Sequence, residues 1–423
     1  MHILIAWVNA IKHTSKLIIG SLGSTLSGKK ITLCITGSVA AVECVALSRL
    51  LMRLGAEVYG VMSPMAHKII HPHLLEWATG NPVVTELTGQ IEHITLAGKH
   101  EGHVDIVLIA PATANTIGKI ANGIDDTAVT TTVSSAIGAK IPVLIVPAMH
   151  ESMYDHPAVI ENIEKLVKIG VHVMQPRMEE AKAKIPSVES IVDRVLSILG
   201  PKDFDGKRVV VSAGPTRGWI DRVRFITNPS SGKMGIAIAQ ELVHRGAETI
   251  LVLGPSAVPI PSGLTGIIVD TPEEMRESVL NTIANDSTDA FISAAAVLDY
   301  IPVSKEDAKM ASGKDSITID LKPTPKIIEE VRKKHKDLFI VGFKVESGVS
   351  DEELEARAKT KVDAGVCNLV VANDAHREGV AFGTDTNEVL IVGSEGVEKK
   401  ISLSSKREVA RQIVDVISEY LNQ

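Results

Sequence analysis

The stretch NPSSGKMG, Asn228–Gly235, decides how this chain is read. Ahead of it runs VVVSAGPT, Val209–Thr216, a continuous apolar pattern ending in small residues, as in a buried strand. From Gly232 to Gly246 the pattern turns helical, and ETILVLGP, Glu248–Pro255, reads as a second buried strand. Strand, small-residue turn, helix and strand make the βαβ unit of a doubly wound sheet. Glycine lets backbone approach a ligand closely, serine adds hydroxyl donors, and the unpaired N–H groups of a helix's first turn face an anion. A phosphate is the natural guest. The competing reading is a loop that needs Gly and Ser only to turn. The stretch is neither a Walker A loop nor GxGxxG, so those motifs lend it no support.

A chain of 423 residues holds two or three domains with more than one sizeable core. With 45% apolar residues and a net charge of −7 it reads as an ordinary soluble protein without a broad nucleic-acid surface. Aromatics at 3% leave little for stacking platforms on single strands. Cys34, Cys44 and Cys367 are scattered, forming neither a disulfide framework nor a zinc pattern, and read as reduced, buried and cytoplasmic. No apolar run reaches the roughly 18 residues of a membrane span, and no signal-peptide cleavage pattern is present.

Residues 1–28 read as an extension with a flexible, glycine- and serine-rich end. The regular pattern starts at Lys29: strand KKITLCITG (Lys29–Gly37), helix Ser38–Gly55 and strand Ala56–Ser63. Here too a strand runs into small residues where a phosphate could sit. A strand over Val104–Ala110 leads to a region rich in small polar groups, including Thr113, Asn115 and Asn122, which suits a flat polar ring or a simple helix cap. After the strand Ile141–Val146, Met149, His150, Met153 and Tyr154 form a rim, although paired methionines commonly fill cores. His93, flanked by apolar positions, admits a proton-transfer role or a structural one. The charged run Gln175–Ser187 reads as an exposed flap, and a helix runs from there to Gly200.

PKDFDGK, Pro201–Lys207, punctuates the chain and marks the domain boundary, giving 29–200 and 201–423. Thr271, Pro272 and the acids after them open a capped helix. Several later strands end in polar groups: Asp299, Phe343 with Lys344, and Asp374. Ser304–Lys326 reads as a hairpin or mobile loop carrying lysines, or as a solvated charge run. Ligands of open α/β sheets bind beyond the strands' carboxyl ends, so these ends converging with Asn228 suit a nucleotide.

At this point a family resemblance enters. ITGSVAA (35–41), HITLA (93–97), APATANTIGKIANGIDD (110–126), PAMHESMY (147–154), SAGPTR (212–217), VRFITNPSSGKMG (223–235), AAAVLDY (294–300) and VVAND (370–374) occur in one order. Over roughly residues 29–415 the chain resembles the bifunctional flavoproteins of coenzyme A biosynthesis that join phosphopantothenoylcysteine decarboxylase to phosphopantothenate–cysteine ligase. The resemblance implies an α/β protein of two Rossmann-like three-layer domains, the first flavodoxin-like. It implies FMN in the first, with Gly37 and Ser38 at its phosphate and Thr113 and Asn115 beside the ring. His93 matches the catalytic histidine, and His150 and Met153 border the substrate. Flavin would oxidise the cysteinyl thiol, the thioaldehyde would take up the electrons left when CO₂ departs, and the resulting ene-thiol would be protonated and reduced by FMNH₂, yielding 4′-phosphopantetheine.

In the second domain the resemblance implies CTP-driven activation of 4′-phosphopantothenate as an acyl-nucleotide, which L-cysteine then attacks. Asn228 matches the contact to that intermediate and Lys309 the mobile-loop lysine. Gly214, Ser231, Gly232, Asp299, Phe343, Lys344 and Asp374 would serve the nucleotide, accompanied by Mg²⁺; no metal ligands are assigned. A homo-oligomer is expected, with no nucleic-acid or membrane partner. The sequence departs from the family pattern at three places. His150 replaces an asparagine that holds the substrate carboxylate, the flap has no cysteine, and the Lys309 loop reads EDAKMASGK. An active ligase joined to a slow or altered flavin-binding first domain, a nicotinamide-dependent oxidoreductase, which wants GxGxxG, and a non-catalytic flavin- or nucleotide-binding module are the other readings.

Overall fold

The computed structural model describes residues 13–179, 182–261, 263–308, 317–380 and 383–422. It divides into two compact units, Met1–Leu199 and Gly200–Gln423.

The first unit is built on β1 (Lys30–Ile35), β2 (Glu57–Met62), β3 (Val83–Val84), β4 (Ile106–Ala112), β5 (Val143–Pro147) and β6 (His172–Val173). Their order is β3-β2-β1-β4-β5-β6, with every pair parallel. With the two-residue edge strand β3 set aside, this is the flavodoxin-like order. The strands are apolar throughout because helices cover both faces. Ile31, Leu33 and Ile35 pack with Leu47 and Leu51 of the Cys44–Arg53 helix and with Val192 and Val195 of the Val188–Leu199 helix. Cys34, Val107 and Ile109 face the other way, against Ile117, Val129, Val133 and Leu166.

The second unit is built on β7 (Arg208–Ala213), β8 (Glu248–Leu253), β9 (Thr265–Ile268), β10 (Ala290–Ser293), β11 (Phe339–Glu346), β12 (Leu369–Asp374), β13 (Thr386–Gly393) and β14 (Gly396–Ser405). The order is β9-β8-β7-β10-β11-β12-β13-β14. The first six are parallel in the Rossmann order, and β13 and β14 extend the sheet antiparallel. The helices Lys233–His244 and Lys406–Leu421 cover one face, and Pro272–Asn285 and Ile327–Lys334 the other.

Several expected elements differ in detail. The helix expected from Ser38 starts as a 3₁₀ turn, Val39–Glu43, before Cys44 takes it into the α form. Residues 14–28 are not a loose lead-in: Thr14–Ile18 is a 3₁₀ helix, and Leu26 is buried in the core under Leu54. Leu22 and Leu26 in a glycine–serine stretch are too few to set a periodicity. The charged flap is a hairpin, Arg177–Glu179 with Lys182–Lys184, and the latter strand pairs with Met149–His150. Ser304–Lys326 contributes the return strand Leu321–Pro323, paired with Tyr300–Pro302. Thr271 caps its helix in the expected box, its side chain accepting from Glu274 N–H while Glu274 accepts from Thr271 N–H.

Candidate functional site

Each sheet has a switch point where the chain leaves neighbouring strands in opposite directions: β1 and β4 in the first unit, β7 and β10 in the second.

At the first, the strand ends are stitched by side chain and backbone. Thr36 Oγ1 donates to Pro111 O at 2.7 Å and accepts from Thr113 N–H at 3.1 Å. Gly37 comes next; a Cβ there would lie 2.5 Å from Met65 Cβ, so the turn admits only glycine without displacing that neighbour. Ser38 is half-buried and caps no helix N–H with its hydroxyl. Thr113 caps the Ala114–Ala121 helix through Thr116 N–H, and Asn115 is exposed in its first turn. The rim is apolar: Val39 is 80% exposed, and Val42 and Met65 are exposed as well.

His93 lies in the first turn of a short helix, Glu92–Ala97, rather than just ahead of a strand. That helix packs on Ala128–Ala139. Ile91, immediately before it, is held left-handed at φ 48°, where a β-branched residue is uncommon. Glu92 fixes the entry by accepting from Thr88 N–H at 2.9 Å and from the Thr88 hydroxyl. Among the described residues the buried Nδ1 of His93 has no hydrogen-bond partner. A left-handed β-branched residue and an orphaned ring nitrogen thus lie two residues apart, each at an energetic cost.

His150 and Met153 are exposed on the strand that pairs with the flap and on the helix after it. His150 Nδ1 lies 3.2 Å from Ser152 Oγ, and Tyr154 donates to Gln175 Oε1 at 3.1 Å, tying the rim to the flap's start. Burial raises the pKa of Cys34 and Cys44, so neither offers a ready thiolate in place of the absent flap cysteine.

At the second switch point a cleft is lined by Ser230–Gly235, Ala294–Ala296, Phe343, Asn373, Asn387 and Lys406. Its floor depends on glycine. Gly232 is left-handed at φ 78°, and a Cβ there would come within 3.2 Å of Gly214 Cα. A Cβ at Gly235 would meet Ala213 Cβ at 2.5 Å, so the Lys233–His244 helix lies directly on β7. Asn228 Nδ2 donates to Ala296 O at 3.0 Å and Val297 O at 3.3 Å, holding the chain after β10 and leaving its Oδ1 free of these bonds.

The other expected nucleotide residues divide. Ser231, Gly232 and Phe343 line the cleft. Lys344, one residue on, pairs with Glu346 at 2.8 Å, and neither lines it, as alternation along β11 requires. The same alternation puts Asn373 in the cleft and buries Asp374 away from it. Asp374 accepts from Gly348, Val349 and His376 N–H groups, which hold its carboxyl below the usual range, the His376 bond foremost. Asp299 pairs with Lys326 at the base of the Tyr300–Pro302 hairpin. Lys309 lies outside the described residues. Sequence reading missed Asn373, Asn387, Lys233 and Lys406. Asn373 stood within the quoted VVAND, but Asn387 sits on the antiparallel extension and Lys406 opens the helix after it, where no strand-end rule points.

Comparison with known proteins respects this division. Residues 19–200 match the family described as Flavoprotein, and residues 204–421 the DNA/pantothenate metabolism flavoprotein C-terminal domain. The chain is 51% identical to the coenzyme A biosynthesis bifunctional protein CoaBC of Thermococcus kodakarensis, over 97% of this chain and 100% of the relative. To the protein of that name from Bacillus subtilis it is 36% identical, over 94% and 98%. It is also 36% identical to a cysteine/cysteine sulfinic acid decarboxylase from an unknown prokaryotic organism, over 82% and 98%. The chain belongs to the family of coenzyme A biosynthesis bifunctional proteins, and the expected pairing of ligase with decarboxylase holds. Among the described residues no helix is long and apolar enough to cross a membrane.

Proposed function

We propose that the second unit joins 4′-phosphopantothenate to L-cysteine with CTP, and that the first then decarboxylates 4′-phosphopantothenoylcysteine with FMN. The observation that carries the ligase half is the glycine-floored cleft at the second switch point, with serine hydroxyls, helix N–H groups and lysines around it. The substrate carboxylate attacks the α-phosphorus of CTP and pyrophosphate leaves. The cysteine amine then attacks the acyl carbon, CMP leaves and an amide remains. Asn228 holds the chain after β10 and turns its Oδ1 toward the intermediate; Ser231 and Gly232 border the phosphates, and Phe343 supports the base. Lys309 neutralises charge at the reacting phosphate. Asp299 acts from the hairpin base, and Lys344 and Asp374 support the cleft from behind β11 and β12. Mg²⁺ accompanies the triphosphate, held chiefly by its phosphate oxygens.

The first switch point fits FMN. A small-residue turn at Gly37 and Ser38, the capped helix start at Thr113 and Asn115, and an orphaned His93 nitrogen provide a phosphate seat, a polar border and a proton-handling group. When bound, FMN supplies the two-electron chemistry that creates an electron sink at the cysteinyl sulfur and later restores the thiol. His93 orients the departing carboxylate and relays a proton; His150 donates one hydrogen bond to that carboxylate, and Met153 covers it. The exposed apolar side chains at both sites, Val39 and Met65 in the first unit and Val223, Phe225 and Tyr300 on the hairpins of the second, support a homo-oligomer.

Mass spectrometry of the full chain with FMN, CTP, L-cysteine and 4′-phosphopantothenate tests both halves. The expected product is 4′-phosphopantetheine, with CTP-dependent pyrophosphate release only when 4′-phosphopantothenate is present. Accumulated 4′-phosphopantothenoylcysteine would refute the decarboxylase half, and decarboxylation of free cysteine would point to the other relative's chemistry.

A further inference from the structure

The nucleotide cleft is walled on one side by elements that a parallel βαβ core does not need, β13 and the Lys406–Leu421 helix. From that wall come Asn387 and Lys406. Lys406 is the first residue of its helix, where unpaired N–H groups already make the end positive and a cation is unfavourable. It is half-buried, and its ammonium donates to Thr384 O. Burial, and Lys233 nearby, lower its pKa, which Asp385 only partly offsets.

Lys233 is likewise the first residue of a helix aimed at the cleft. Its Nζ donates to Gly383 O at 3.0 Å and pairs with Asp385 at 2.6 Å. That carboxylate is largely exposed, so two lysines at two positive helix ends share one solvent-facing anion. Asn373, 8% exposed, lines the same cleft and makes no side-chain hydrogen bond among the described residues. Two ammonium groups gathered at positive helix ends, with a cleft-facing amide beside them, suit an anion.

We propose that Lys406, together with Lys233, binds the terminal phosphates of the nucleoside triphosphate and so seats the pyrophosphate leaving group. This rests on the nucleotide-dependent ligase reading above. As the substrate's carboxylate oxygen bonds to the α-phosphorus, the bond from that phosphorus to the α–β bridging oxygen breaks, and its electron pair leaves on pyrophosphate. The two ammonium groups meet the charge that gathers there. The wall formed by the antiparallel extension therefore sets the preference for a triphosphate over a monophosphate.

The test is calorimetric binding of CTP and CMP to the full chain and to Lys406→Gln. The expected result is CTP binding weakened at least about tenfold with CMP binding changed less than about twofold. Equal weakening of both, or none, overturns the assignment. If Lys406→Gln loses its cooperative melt, lysine acetylation of the wild-type chain, read by mass spectrometry, decides. CTP but not CMP should protect Lys406 and Lys233, and equal labelling with either overturns the proposal. Wild-type protein that binds neither nucleotide removes the ligase reading itself, which is a different failure from loss of triphosphate selectivity.

Discussion

The two switch points share a topology and differ in how complete they are. In the second unit, glycines at 232 and 235 let a helix lie on its strand, and the elements beyond the parallel core supply a far wall, so one chain forms a concave cleft. In the first, Thr36 ties β1 to β4, and the turn beyond opens onto exposed Val39, Val42 and Met65. The comparison teaches that one strand order can carry different surroundings, the elements added beyond the parallel core supplying a far wall in the second unit.

The largest expected effect breaks that comparison at its glycines. Gly235→Ala forces a Cβ against Ala213 on a buried strand, and should destabilise the second unit by about 2–3 kcal/mol and abolish pyrophosphate release. Gly37→Ala meets Met65 Cβ at the same 2.5 Å, but in a surface turn rather than on a buried strand, so the turn's backbone has to shift and the cost should be about 1 kcal/mol. Denaturant unfolding of each variant checks the ordering; equal costs would mean the two floors are equally tight. Next, Asn228→Asp sets a carboxylate against Ala296 O and Val297 O, and ligase turnover should fall about tenfold to a hundredfold with FMN binding unchanged.

Ile91→Gly sharpens the contrast from the other side. Relieving the left-handed isoleucine should raise stability by about 1 kcal/mol while slowing decarboxylation, because His93 loses its fixed helix start. A gain in both would show that the strain has no catalytic purpose. The smallest effect concerns acid. Backbone donors hold the Asp374 pKa down, so its stabilisation is present above the ordinary carboxylate pKa and is lost as pH falls through the lowered folded value. Asp374→Asn should flatten that limb in melts taken across the acid range.

Much of this was legible in the chain itself. Buried strands ending in small residues located both switch points, and the Thr271 cap announced its helix. Motif resemblance could not tell which face of a strand a residue occupies. Phe343 and Lys344 are neighbours in one motif, yet alternation sends one into the cleft and the other behind it. Lys406 was invisible for a different reason: it lies far along the chain from the glycine loop, and only the antiparallel return of β13 and β14 brings it there. The strain at Ile91 is a backbone property that no residue type signals.

The central claim is that each switch point takes its own ligand. Hydrogen exchange on the full chain, with FMN alone and then CTP alone, tests it most directly. FMN should protect residues 36–42 and 112–117, and CTP residues 228–235 and 294–296, each leaving the other set unchanged. Protection of either region by the wrong ligand, or of neither, would contradict the account.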